Sequence, residues 1–137
     1  MSVLDAIRAP LFVPADRPER FAKAAASGAD AIILDLEDAV AEGAKDVARA
    51  ALRRDFTDLP VIVRINATGS TAFEADLAAV TDLRPDAIML PKAEDARQIG
   101  LLGDVLPCPV IALIESARGL ANAREIAATK GVVRLAF

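Results

Sequence analysis

Residues 29–40 read ADAIILDLEDAV, an apolar run broken by three acids in four positions, Asp35, Glu37 and Asp38. A short stretch rich in Ile and Leu that ends in carboxylates is the pattern of a buried β-strand whose far end opens on a polar place. Side chains alternate along a strand, so Ile32, Leu34 and Leu36 share one face while Ile33, Asp35 and Glu37 share the other. The first face can pack on helices. The second must meet water, a cation or a partner, because an unpaired buried carboxylate is costly. The plainer alternative is an acidic N-cap for the next helix. A cap needs one acid and not three, so that alternative is strongest for Asp38 taken alone.

The same alternation of elements extends outward from this strand in both directions. Residues 1–9 read as a lead-in, and Leu11–Val13 as a short strand ending at Pro14. Asp16, Pro18 and Glu19 then supply an N-cap, an early proline and an acid three residues after the cap. The helix they open runs to about Ser27, with Phe21, Ala24 and Ala25 inward, and Gly28 closes it. Beyond the acidic strand, helical spacing returns from Val40 to Arg54, with Val47, Ala51 and Leu52 as core candidates. Pro60 leads into VIVRIN, where Val61, Val63 and Ile65 share one face and Ile62, Arg64 and Asn66 the other. Phe73, Leu77 and Val80 recur at helical spacing. DAIMLPK is a fourth strand ending at Lys92, followed by a helix over about 93–102. VIALIE is a fifth strand ending at Glu115; Ser116 caps the helix ARGLANAREIAA, Gly131 ends it, and VVRLAF is a sixth apolar run.

Six strands alternating with five helices at the spacing of βα units predict an α/β fold with a parallel, helix-covered sheet. An open doubly wound sheet usually carries a Gly-rich turn after its first strand. Here that turn is PADRPER, without glycine, and neither GxGxxG nor GxxxxGK[ST] occurs. A TIM (β/α)₈ barrel instead places chemistry at the C-terminal ends of many strands. That is the distribution seen: Asp16 and Arg17 follow strand 1; Asp35, Glu37 and Asp38 close strand 2; Arg64 and Asn66 close strand 3; Lys92 and Glu115 close strands 4 and 5. A barrel takes about 250 residues. Residues 1–137 are therefore expected to be the N-terminal portion of a single barrel domain, broken off inside strand 6.

Composition narrows the function. The chain is 54% hydrophobic and 26% charged, with a net charge of −4 and neither Trp nor Tyr. These values speak against disorder and against a nucleic-acid or anionic-membrane surface. The single cysteine, Cys108, reads as a packing residue. There is no histidine, so catalysis would fall to carboxylates, Lys, Arg or an oxygen-held metal. No targeting segment or 18-residue apolar run is apparent, which makes a soluble cytoplasmic protein the expectation.

Hard oxygen ligands suit Mg²⁺, which takes one or two carboxylates and fills its octahedron with water and substrate oxygens. Glu115, isolated at the end of an apolar strand, is the best single ligand; its alternative is a charge favourable to the next helix. Arg64 can grip a substrate carboxylate in bidentate fashion, or pair internally with Glu37 or Asp35, and the two uses are compatible. Lys92 can bind an anion, form a Schiff base or make a salt bridge. Asp16 reads as a cap. Arg17 and Arg20 either meet a phosphate at the mouth of the site or belong to a solvated face.

The run LFVPADRPERFAKAAASGADAIILDLEDAV, followed by VRIN, MLPKAED and ALIESARGLANAREIA, resembles the citrate lyase β-subunit-like family of the aldolase and citrate lyase superfamily, which also holds malyl-CoA and citramalyl-CoA lyases. The resemblance runs from about residue 10 to residue 137. It implies an Mg²⁺-dependent (β/α)₈ barrel, often a homotrimer or hexamer, that makes or breaks a carbon–carbon bond in a short acyl-CoA or acyl-carrier thioester and releases a keto acid. It implies that Glu115 is one metal and substrate-site ligand and that Arg64 binds the keto-acid end. Glu37 and Asp38 would line the metal site by way of water, and Arg17 would lie where the family often contacts CoA. The family's second metal ligand is an Asp in a Gly-x-x-Asp turn after the strand beginning VVRLAF. That turn is not in these 137 residues, so the chain alone is expected to be inactive. A metal-dependent aldolase on free keto-acid aldols and a non-catalytic CoA-ester-binding or assembly subunit are the competing functions.

Overall fold

Alternate positions of the strands fall into two separate apolar clusters, one on each face of a single sheet. The computed structural model describes residues 2–137. Its strands are β1 (Pro10–Pro14), β2 (Ala31–Asp35), β3 (Val61–Arg64), β4 (Ala87–Leu90), β5 (Val110–Leu113) and β6 (Val132–Ala136). All neighbours are parallel, and the spatial order is the chain order, β1 to β6. This is the succession of strands in a (β/α)₈ barrel and not the reversed order of a doubly wound sheet.

The helices are α1 (Phe21–Ala25), α2 (Lys45–Ala50), α3 (Phe73–Leu83), α4 (Ala96–Val105), α5 (Ala117–Ala121) and α6 (Ala123–Ala127). Their inward residues, among them Phe21, Ala48, Val80, Ile99 and Ile126, pack against Ile32, Leu34, Val61, Val63, Ile88 and Val110. Burial of each such large aliphatic side chain is worth about 1.5–3 kcal/mol, so this face dominates cohesion. On the opposite face Ile33, Ile62, Met89 and Ile111 meet Leu4 and Ile7. The lead-in is therefore part of the core, and its 3-10 turn at Val3–Ala6 covers the N-terminal end of the inner face. Arg134 of β6 fastens it, donating to the carbonyl of Ile7 at 2.8 Å, and Asp30 accepts the amides of Arg8 and Ala9.

Several local expectations change. Asp16 does not cap: Arg17 holds the N-cap position with no side-chain bond, and a 3-10 turn at Pro18–Arg20 precedes α1. Val47 is 62% exposed, whereas Lys45 and Ala48 are buried. The apolar pattern misplaced the inner face of α2 because one inward residue is a lysine. The fourth helix begins at Ala96, where the Asp95 carboxylate accepts the amides of Arg97 and Gln98. The fifth helix is broken at Asn122, whose side chain turns away to donate to the carbonyl of Glu94 at 2.8 Å. Among the described residues no helix is long and apolar enough to cross a membrane.

Candidate active site at the C-terminal rim

The parallel register sets Asp35, the last residue of β2, beside Arg64, the last of β3. Arg64 Nε donates to Asp35 Oδ1 at 2.8 Å and Nη2 donates to Oδ2 at 2.6 Å. This fork leaves Nη1 without a hydrogen bond among the described residues. The guanidinium also lies 4.7 Å from the centroid of the Phe12 ring. Asp35 turns the chain as well, accepting the amides of Glu37 at 2.9 Å and Ala39 at 3.2 Å. Hydrogen bonding to Asp35 holds the Arg64 pKa above its ordinary value despite burial.

Two residues on, Glu37 is 5% exposed. Its Oε1 accepts from Lys92 Nζ at 3.2 Å, while Oε2 is buried with no hydrogen-bond partner among the described residues. Burial raises the Glu37 pKa, more than the charges of Arg64 and Lys92 lower it. Lys92 stands just past β4 with φ +49°, and its amide donates to Glu115 Oε1 at 2.8 Å. Burial works against its charge, but Glu37, Asp38 and Glu115 outweigh that and raise the Lys92 pKa. Glu115 is exposed beyond β5. The amide it binds belongs to Lys92, and Ser116 is the residue that caps α5, through Gly119.

Arg64, Glu37, Asp38, Lys92 and Glu115 are thus brought to one rim. Arg17 is not joined to them: it is exposed in the turn after β1, and its side chain makes no hydrogen bond among the described residues. A cleft of about 360 Å³ beside Lys92 runs between the loops after β3 and β4, lined by Thr68, Lys92, Asp95, Gln98 and Arg118. No three carboxylate or thiol groups among the described residues converge as a complete metal cage.

Sequence reasoning set Asn66 beside Arg64, but β3 ends at Arg64 and the alternation ends with it. Asn66 instead donates to the carbonyl of Leu36 at 2.9 Å and to Asp76 at 2.6 Å. Asp76, fully buried on α3, also accepts from Arg49 of α2 at 2.8 Å. A signal for Asp76 was present: Phe73, Asp76, Leu77 and Val80 form one helical stripe, in which the acid is the only polar member.

Residues 8–137 match the family model described as HpcH/HpaI aldolase/citrate lyase. The chain is 52% identical over 124 residues to the citrate lyase subunit beta-like protein of Mycobacterium tuberculosis, covering 90% of this chain and 44% of that protein. It is 39% identical over 127 residues to a (3S)-malyl-CoA thioesterase of Cereibacter sphaeroides, covering 88% of this chain and 45% of that protein. Among solved structures it resembles the Mycobacterium tuberculosis protein CitE in complex with magnesium, acetoacetate and coenzyme A. There the TM-score is 0.83 at 51% identity, over 95% of this chain and 48% of that one. The chain spans about half the length of the relatives it matches. Strand order, the acidic rim and a match running from residue 8 to residue 137 lead to one assignment: the chain belongs to the HpcH/HpaI aldolase/citrate lyase family.

Proposed function

We propose that these residues form the first part of a single (β/α)₈ domain of an Mg²⁺-dependent carbon–carbon lyase. Its substrate would be a short hydroxyacyl-CoA or acyl-carrier thioester of the citryl, citramalyl or malyl type, and its products an acyl thioester and a keto acid. The observation that carries this reading is the unpartnered, buried Glu37 Oε2 on the rim that also holds Arg64 and Glu115. An orphaned carboxylate oxygen and an exposed glutamate suit a hard cation that takes few protein oxygens. Glu115 would hold the metal directly, with Glu37 and Asp38 lining its place.

When bound, Mg²⁺ supplies Lewis acidity towards the oxygens of the keto acid. Arg64 donates through Nη1 to the substrate carboxylate while Asp35 keeps its other edge aligned, which orients the acid and stabilises its charge. In cleavage the substrate hydroxyl loses its proton and its oxygen becomes the carbonyl next to the carboxylate of the released oxo acid. The electron pair of the breaking carbon–carbon bond stays on the carbon next to the thioester, which then takes up a proton. The Lys92 ammonium holds Glu37 at Oε1. Arg17 and the cleft lined by Thr68, Gln98 and Arg118 would accommodate parts of the carrier. A soluble cytoplasmic homo-oligomer, trimer or hexamer, completes the proposal.

The relative named as a malyl-CoA thioesterase favours a second reading, hydrolysis of the thioester. Product analysis separates the two: a lyase yields acyl-CoA and keto acid, a thioesterase yields free CoA and hydroxy acid. A metal-dependent aldolase would cleave free keto-acid aldols, and an assembly subunit would cleave neither. In the intact protein Arg64→Lys should lower kcat/KM for thioester cleavage by about 10² or more with folding retained. Near-normal turnover of that variant at subsaturating substrate would remove Arg64 from the site.

A further inference from the structure

The loop that carries Glu37 and Asp38 belongs to neither β2 nor α2, yet it is held from two sides. On the inner side Asp35 accepts the amides of Glu37 and Ala39. On the outer side Lys45, 6% exposed, sends its Nζ under the same turn. It donates to the carbonyls of Leu36 at 2.8 Å, Glu37 at 3.0 Å and Val40 at 3.2 Å. An ammonium has three hydrogens, and here each has a carbonyl acceptor. The carbonyl of Leu36 is shared with Asn66, which joins this arrangement to Asp76 and Arg49. No salt bridge to Lys45 occurs among the described residues, so backbone oxygens alone compensate its burial.

We propose that Lys45 is a positioning residue. Its buried ammonium gathers the carbonyl rim of residues 36–40 and so fixes the Glu37 and Asp38 carboxylates that line the reaction site. A buried cation is costly without dense hydrogen bonding, so the loop and the lysine order each other. Lys45 itself comes from α2 and its ammonium bonds backbone carbonyls alone, so it touches no reacting group. The proposal rests on the reading of Glu37 and Asp38 as site residues, but its structural half stands without that reading and is measured separately.

The test compares Lys45→Met with the parent in the intact, magnesium-loaded protein, by residue-resolved hydrogen exchange and by kinetics. The amides of Glu37, Ala39 and Val40 should exchange at least about tenfold faster in the variant, while those of Val63 and Ile88 in the sheet stay protected. Thioester cleavage should lose about 10–100-fold in kcat with KM little changed, the usual scale for a group that orients site ligands. Lys45→Arg, which keeps a buried cation, should recover part of both effects. If the Met variant does not fold, Lys45→Gln, with two donor hydrogens, decides on the same readouts. Unchanged protection of the loop overturns the proposal. So does an even loss of protection across the sheet with kcat falling only as the folded fraction falls, which would make Lys45 a general stabiliser. Local loosening with unimpaired turnover overturns the catalytic half and leaves Arg64, tested separately, untouched.

Discussion

At the β2–β3 corner both oxygens of Asp35 are engaged by Arg64 and two backbone amides, and the carboxylate is buried. At the β4–β5 corner Glu115 is exposed and accepts one hydrogen bond, from the amide of Lys92. Both corners combine an acid with a base at the same rim. The difference lies in how much of each acid's hydrogen-bonding capacity the fold itself uses. A saturated, buried carboxylate fixes backbone and orients its arginine. A half-used, exposed one leaves an oxygen open to solvent. Glu37 lies between these extremes: it is buried like Asp35 but only half engaged.

Substitution at each corner should therefore give opposite profiles. Asp35→Ala leaves a largely buried Arg64 without its partner and frees two amides, so we expect a loss of about 3–5 kcal/mol in chemical denaturation. Glu115→Ala removes an exposed group and should change stability by no more than about 0.5 kcal/mol. Its effect should instead fall on magnesium affinity, measured by calorimetry. Equal destabilisation by the two variants would remove the distinction between the corners.

Gly119 determines how closely the second corner is built. A Cβ at this position would come within 2.3 Å of the Ala93 carbonyl oxygen. α5 thus packs closely on the loop after β4, beside the residues that join Lys92 to Glu115. Gly119→Ala should cost about 1–3 kcal/mol, as forced overpacking does. In the crystal structure of that variant the Lys92 amide to Glu115 contact should lengthen. An unchanged Tm would show that the α5 contact yields without resistance.

The architecture was legible because each strand is a short apolar run with a Pro or Gly at or shortly before its start, repeated at the spacing of βα units. Ile32, Leu34, Val61 and Val63 reached the helix-covered face that their parity predicted, and Ile33 and Ile62 the other. The pairing of Arg64 with Asp35 was also legible as one of two compatible uses. Features governed by single polar side chains were not. Lys45 and Asp76 are buried against the usual preference of charged residues, and what makes that tolerable is a turn of carbonyls for Lys45 and Asn66 and Arg49 for Asp76, acceptors and donors that no periodic pattern announces. Asn66 lies beyond the end of β3, where parity no longer determines direction. Asn122 breaks a helix through a bond to a loop 28 positions away in sequence. Arg134 fastens the lead-in across almost the whole chain, so no local pattern could announce either contact.

The smallest expected effect concerns Glu37 and depends on pH. Burial holds its folded-state pKa above the ordinary value of 4.5, so the ionised carboxylate is less favourable in the folded chain than in the unfolded one. Linkage fixes the sign of the consequence. Below the unfolded pKa the group is protonated in both states and contributes nothing. As pH rises through the folded pKa the destabilising contribution of the charge becomes complete and stays so at neutrality. Glu37→Gln removes that charge while keeping the shape. It leaves Lys92 without its ion pair, but the lysine side chain is 53% exposed, so water replaces much of that interaction. Without added magnesium the Gln variant should therefore have a slightly higher Tm than the parent at pH 7, and the difference should shrink to nothing as the pH falls towards about 4. A difference that grows on acidification would mean that Glu37 is stabilised as an anion by Arg64 and Lys92, which would place it with Asp35 as a saturated structural acid.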